Sequence, residues 1–184
     1  NYDILDILDT VGLDAASIDL LGLPQANLPA DYSQYGVEPY KNVGTLFEAS
    51  FDDLDLFDPE LIIIGGRSAT LYETLKEAYP NADFLDVSLP DSDLSNGLSQ
   101  NVKNLALIFP GIAEKLNQNL ELLLNSFDEI KAKTSETNSM FLLVNANAIS
   151  YYGPAGRYKM IYEEFGYGAT DTNTEEGGSH GKQV

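Results

Sequence analysis

Apolar residues recur at two kinds of spacing along this chain, and their order outlines an α/β protein. Ile4, Ile7, Leu8 and Val11 repeat at helical intervals, and Gly12 follows as a stop. Ser17 to Leu23 reads as a short strand ending at Pro24. From Gln25 to Thr45, prolines and glycines mark a long surface connection with room for at most one short helix. Phe47, Phe51, Leu54 and Phe57 then form a helical face. Asp58-Pro59 ends it, because the residue before a proline is pushed out of the α region.

The clearest segment follows. Leu61-Ile62-Ile63-Ile64 is a continuous apolar run, as expected of a parallel strand covered on both faces. Gly65-Gly66-Arg67-Ser68 is the turn at its carboxyl end. Thr70 and Glu73 have the spacing of a capping box that opens a helix to Tyr79. Asp83 to Leu89 supplies another strand. Strand, glycine turn, helix and strand make a βαβ unit, whose ligand site belongs at the carboxyl end of the strand.

Beyond Asp93 the spacing turns helical. Leu94, Leu98, Val102, Leu105 and Ile108 share one face, and Pro110 interrupts. Ile112, Leu116, Leu120, Leu123, Phe127 and Ile130 continue at intervals of three and four. From Ile112 to Lys133 such a helix is roughly 33 Å long, about the width of a small domain. It either packs along its own sheet or bridges two lobes. The earlier pattern then restarts: Phe141 to Val144 reads as a buried strand and Tyr151 to Arg157 as a glycine-rich turn. Tyr158 to Phe165 reads as a short amphipathic helix ended by Gly166. A unit repeated on either side of a long helix favours the bridging reading. The expected architecture is a Rossmann-like N-terminal lobe with a parallel sheet over 1–108, an inter-lobe helix over 109–135, and the beginning of a second α/β lobe over 136–184. Only one strand and one helix follow the long helix before a polar tail, so this second lobe is expected to be truncated.

Composition narrows the function classes. Asp and Glu total 29 against 10 Lys and Arg, a formal net charge of −19, which has the wrong sign for a phosphate backbone and excludes nucleic acid as a partner. With no Cys there are no disulfides, thiolate nucleophiles or Cys-ligated metals. No apolar run approaches the roughly 18 residues that cross a bilayer. No signal-peptide pattern is visible, but the sequence begins at Asn1 within a structured-looking stretch, as a processed or trimmed chain does, so the missing targeting information carries no weight. Catalytic motifs such as H-E-x-x-H and the P-loop are missing. His180 is the one histidine, far along the chain, which argues against a Ser-His-Asp site. Asp52-Asp53 and Glu163-Glu164 are neighbours on helices, point to different sides and read as solvated charge.

The two arginines stand out against this background. Arg67 and Arg157 each follow a glycine turn after a strand, and each carries a permanently charged planar fork suited to carboxylates, catecholates or phosphates. Each could instead be paired with a nearby acid. His180, in Gly177-Gly178-Ser179-His180-Gly181, is either a solvated loop residue or a reaching iron ligand.

Three segments carry a resemblance. Val43-Gly44-Thr45, the stretch from Phe57-Asp58-Pro59-Glu60 through Leu61-Ile62-Ile63-Ile64 to Gly65-Gly66-Arg67, and Tyr152-Gly153-Pro154-Ala155-Gly156-Arg157-Tyr158 are similar to the iron–siderophore solute-binding proteins of ABC importers. Gly178-Ser179-His180-Gly181-Lys182 also resembles a loop of the branch that handles catecholate or mixed citrate–catecholate ligands, petrobactin-type siderophores included. The resemblance covers the whole chain. It implies two lobes joined by one long helix, with a shallow cleft in which arginines of both lobes contact an anionic ferric siderophore. Arg67 and Arg157 would be these arginines, with Gly66, Ser68 and Tyr152 beside them. His180 would complete the coordination of the siderophore's iron, and Glu73 would dock on the permease. The family pattern also continues past Val184, with a further arginine and a tyrosine near the cleft. The implied protein is a monomeric, extracytoplasmic receptor, periplasmic or lipid-anchored. It is not an enzyme and has no cofactor of its own. The competing readings are haem or cobalamin uptake on the same fold, and a cofactor-using α/β enzyme in which Gly65-Gly66 cradles a phosphate.

Overall fold

A computed structural model describes residues 2–12, 22–26, 28–56, 58–89, 93–155, 158–170 and 181–183 of the chain. It divides into two compact units, Asn1–Ser88 and Leu89–Val184.

The first unit opens with α1 (Tyr2–Val11), which buries Ile4, Leu5 and Val11 and ends at Gly12, whose φ of 74° is the left-handed stop a glycine adopts without penalty. Two-residue strands β1 (Gly22–Leu23) and β2 (Lys41–Asn42) pair in parallel across a 3-10 helix at Ala30–Gly36. Strands this short show no alternation, so β2 cannot be seen in the sequence pattern. Leu5, Leu23 and Tyr35 form an apolar cluster bordered by Tyr2, Leu28, Tyr32 and Tyr40. Its tyrosine hydroxyls reach outward: Tyr32 donates to Asp6 at 2.8 Å, and Tyr35 donates to Asp9.

The helix expected over Phe47 to Phe57 contracts to a single turn, α2 (Phe51–Leu54). Phe47 lies instead in the preceding loop, where the Thr45 hydroxyl accepts from the amides of Phe47 and Glu48 at 3.1 and 3.0 Å. This local bonding competes with helix formation. Phe57 lies outside the described residues.

Next come β3 (Leu61–Ile64), a 3-10 helix (Gly66–Leu71), α3 (Tyr72–Ala78) and β4 (Asp83–Asp86). β3 and β4 pair in parallel with Leu61 opposite Asp83 and Ile64 opposite Asp86, so the expected βαβ unit is present. Ile64, Leu75, Tyr79 and Ala82 are its core, flanked by Phe51, Leu54, Ile62 and Phe84 among others. The capping box expected between Thr70 and Glu73 does not form. Thr70 donates instead to the Arg67 carbonyl at 3.0 Å, and Ser68 closes the turn by exchanging hydrogen bonds with Gly65.

In the second unit α4 (Leu94–Ile108) packs along α5 (Ala113–Thr134), with a 3-10 turn at Pro110–Ile112 between them. Val102, Leu105 and Leu116 are buried. The 22 residues of α5 give it a length of roughly 33 Å. The short pair β5 (Asn138–Ser139) and β8 (Gly168–Ala169) is parallel.

The restart after α5 differs from a second βαβ unit. β6 (Phe141–Asn145) turns back directly into β7 (Ala148–Tyr152), an antiparallel hairpin with Asn145 opposite Ala148, and β9 (Lys182–Gln183) adds to the far side of β7. The turn is Ala146-Asn147, with Ala146 at φ 52°, a conformation that alanine seldom signals. Tyr151 and Tyr152 therefore belong to a strand and not to the glycine turn. Nor is β6 the buried strand expected: it lies at the edge of its sheet, with Leu142, Leu143 and Val144 exposed.

The expected helix over Tyr158 to Phe165 is a single turn, α6 (Met160–Glu163). The residues after it tie the unit together. Glu164 accepts from the amides of Leu94 and Ser95 and from the Ser95 hydroxyl, so it is a tertiary cap on α4 and not solvated charge. Thr134 donates to the Phe165 carbonyl, and Phe127 meets Phe165 edge-on at 5.0 Å. A Cβ at Gly166 would lie 2.7 Å from Lys131 Cγ, so the chain passes α5 only as glycine.

Candidate ligand-binding site

The site is built on the turn after β3. The pairing of β3 with β4 is extended by a bond from the Val87 amide to the Ile64 carbonyl at 2.9 Å. This brings Ser88 beside the glycines. Its amide donates to Asp86 Oδ1 at 2.8 Å, and its hydroxyl accepts from the Gly66 amide at 2.9 Å. The Gly65 amide is taken by Ser68 Oγ at 3.0 Å. Gly66 sits at φ 57° with open space where a Cβ would be, so glycine is needed there for its backbone and not for room.

A turn bonded in this way cannot cradle a phosphate. Such a cradle needs its successive amides free to face the anion, and both glycine amides already have side-chain acceptors. The cofactor-enzyme reading loses the one feature that supported it.

What the turn does present is Arg67. The side chain is exposed, and among the described residues no carboxylate forms an ion pair with it. Its guanidinium carbon lies 5.0 Å from the centre of the Phe47 ring, a cation–π contact. Phe47 is itself 61% exposed. The loop that carries it is closed by a bond from the Thr45 amide to the Glu48 carbonyl at 2.7 Å and a bridge between Gly44 and Ala49. Phe47 is the neighbour of Arg67 that periodicity misplaced. The Gly44-Thr45 pair before it, typical of a turn in which a threonine hydroxyl holds following amides, was the available signal.

The other expected residues fall as follows. Ser68 holds the turn with both its donor and an acceptor function. Glu73 is exposed in the first turn of α3. Tyr152 is 1% exposed, its ring packed between Phe141 and Tyr158 at centroid distances of 5.9 and 4.8 Å, so it shapes the strand end and offers no surface of its own. Tyr162 donates to its carbonyl at 2.9 Å. Arg157 and His180 lie outside the described residues. The Tyr158 ring meets Phe141 at 4.5 Å and Tyr152 at 4.8 Å. Among the described residues no group of three or more His, Asp or Glu could hold a metal ion, and no helix is long and apolar enough to cross a membrane.

No family model matches the chain. It is 29% identical to the petrobactin-binding protein YclQ of Bacillus subtilis, over the whole of this chain and 56% of that protein. The crystal structure of YclQ superposes with a TM-score of 0.81 at 28% identity, covering 98% of this chain and 61% of the other. The periplasmic catecholate-siderophore binding protein VctP of Vibrio cholerae gives 0.81 at 21% identity, over 98% and 63% of the two chains. The iron-uptake substrate-binding protein PiuA of Streptococcus pneumoniae gives 0.79 at 24%, over 97% and 61%. The chain thus spans about half the length of the curated relative it matches. It has the helical-backbone periplasmic-binding-protein fold, and along its whole length its sequence is similar to that of a petrobactin-binding protein.

Proposed function

We propose that the protein is the substrate-binding component of an ABC importer that captures an anionic ferric siderophore and delivers it to a membrane permease. The observation that carries this reading is Arg67: an exposed guanidinium, unpaired among the described residues of a chain of net charge −19, held on an internally bonded turn at the carboxyl end of a parallel strand. A fixed, uncompensated positive fork in a negative envelope suits a multiply charged oxyanion. Similarity to a petrobactin-binding protein supports the same ligand class.

In this reading Arg157 supplies a second cationic contact and His180 reaches the siderophore's iron, which belongs to the cargo. Gly66 and Ser68 fix the geometry of the Arg67 turn, Tyr152 packs the end of β7 against Phe141 and Tyr158, and Glu73 docks on the permease. The protein works as a monomer outside the cytoplasm, free in the periplasm or lipid-anchored, and performs no catalysis.

The test is ligand affinity in the full-length protein. Arg67→Ala removes charge-assisted hydrogen bonds of about 1.5–3 kcal/mol, a loss of roughly 10- to 150-fold for a ferric catecholate siderophore. Unchanged affinity in both Arg67→Ala and Arg157→Ala would refute the proposal.

A further inference from the structure

Phe47 packs into neither apolar cluster formed by the described residues of its unit, and it is 61% exposed. Yet its backbone is tightly specified. The Thr45 hydroxyl accepts from its amide and from that of Glu48, and Thr45 and Glu48 are joined again through the backbone. The bond from the Ser50 amide to the Val43 carbonyl at 2.9 Å closes the neck of the loop. At Gly44 the chain takes φ 111°, where a Cβ would lie 2.3 Å from the Glu48 carbonyl oxygen, so the loop accepts only glycine there. The contact this rigid loop makes through the Phe47 ring is with the Arg67 guanidinium, 5.0 Å from the ring centre.

A long arginine side chain on a surface samples many rotamers, and each contact it makes with a ligand must overcome that freedom. An aromatic face beneath the guanidinium removes part of the freedom in advance, without consuming the N–H donors that a ligand uses. A carboxylate in the same place would restrain the arginine equally well but would neutralise it. We infer that Phe47 is a positioning residue: its ring holds the charged Arg67 guanidinium in place while leaving its N–H donors available, and so raises affinity for an anionic ligand through Arg67. This rests on the reading that Arg67 contacts the ligand.

The experiment compares dissociation constants for a ferric catecholate siderophore in the full-length protein and in Phe47→Leu, Phe47→Tyr, Arg67→Ala and the Phe47→Leu/Arg67→Ala double variant. An exposed cation–π contact corresponds to a weakening of about 2- to 5-fold. Phe47→Leu is expected to show that loss with an unchanged unfolding midpoint, and Phe47→Tyr to retain the original affinity. Phe47→Leu is expected to have no further effect once Arg67 is absent, because the two act as one unit. Three results overturn the inference while leaving the siderophore reading intact: Arg67→Ala weakens binding but Phe47→Leu does not; the tyrosine variant is as weak as the leucine one; or Phe47→Leu costs the same without Arg67. Unchanged affinity in Arg67→Ala overturns the assignment of Arg67 and this inference together.

Discussion

Glu164 offers a measure of how one side chain holds the second unit together. The first four amides of a helix have no partner within it. In α4 the amides of the first three residues find side-chain acceptors outside the regular ladder. Leu94 and Ser95 donate to the Glu164 carboxylate and Asn96 to the Asp93 side chain, and the bond from the Gly97 amide to the Asp93 carbonyl begins the ladder itself. Glu164→Ala strips two of these three side-chain acceptors, along with the bond from the Ser95 hydroxyl, and removes a negative charge from the positive end of the helix dipole. At about 1 kcal/mol for each abandoned amide in a part-buried setting that water can enter, the cost is about 2 kcal/mol. For a chain of this size that is a fall in Tm of about 4–8 °C. Glu164→Gln keeps one acceptor oxygen and is expected to lose about half as much. Denaturant unfolding followed by circular dichroism gives the cost, and amide hydrogen exchange localises it. Protection should fall at Leu94 and Ser95 first. Exchange rates at those two amides and an unfolding midpoint that both match the original protein would refute the reasoning.

Other expectations follow from the same structure. Tyr79 is held up to about 12, above the ordinary tyrosine value, first by burial and then by its hydrogen bond to Asp55 at 2.7 Å. Its contribution is therefore complete below pH 10 and is lost as pH rises through 12. Tyr79→Phe should cost about 1 kcal/mol at neutral pH, and the gap to the original protein should narrow between pH 10 and 12 in denaturant titrations; a gap that stays constant or widens contradicts this. Gly44→Ala places a Cβ against the Glu48 carbonyl at a positive φ and should destabilise the first unit by about 2–4 kcal/mol in chemical denaturation. A variant with unchanged stability would show that the loop is softer than drawn.

The sequence made the βαβ unit plain because each of its parts carries a strong local signal. The run Leu61–Ile64 is too apolar for a surface, and Gly65-Gly66 permits a turn that other residues resist. Signals failed where the deciding partner is distant or the signal is shared. Glu164 looked like one of two adjacent surface acids, and nothing local reveals that its carboxylate meets a helix start about 70 residues earlier. Thr70 and Glu73 have capping-box spacing, but Ser68 reaches Gly65 first and the 3-10 turn shifts the helix start to Tyr72. The hairpin at Ala146-Asn147 lacks the glycine that usually marks a two-residue turn, so Tyr151 and Tyr152, the end of its second strand, read as part of the glycine-rich turn. Phe47 fell on a helical spacing by coincidence with Phe51 and Leu54, while the bonds of Thr45 decide its conformation. Arg67 was legible in place and in charge. Its aromatic support was not, since that contact joins a loop to a 3-10 helix with α2 and β3 between them in the chain.

The central claim, that this protein binds an anionic ferric siderophore through Arg67, is tested most directly by titration. This chain has 11 Tyr, so intrinsic fluorescence reports binding. The full-length protein and its Arg67→Ala variant are titrated with ferric catecholate siderophore, the iron-free form, haem and cobalamin. The account predicts saturable quenching by the ferric siderophore, weakened roughly 10- to 150-fold in the variant. Saturation by haem or cobalamin alone, or a ferric siderophore bound equally well without Arg67, would contradict it.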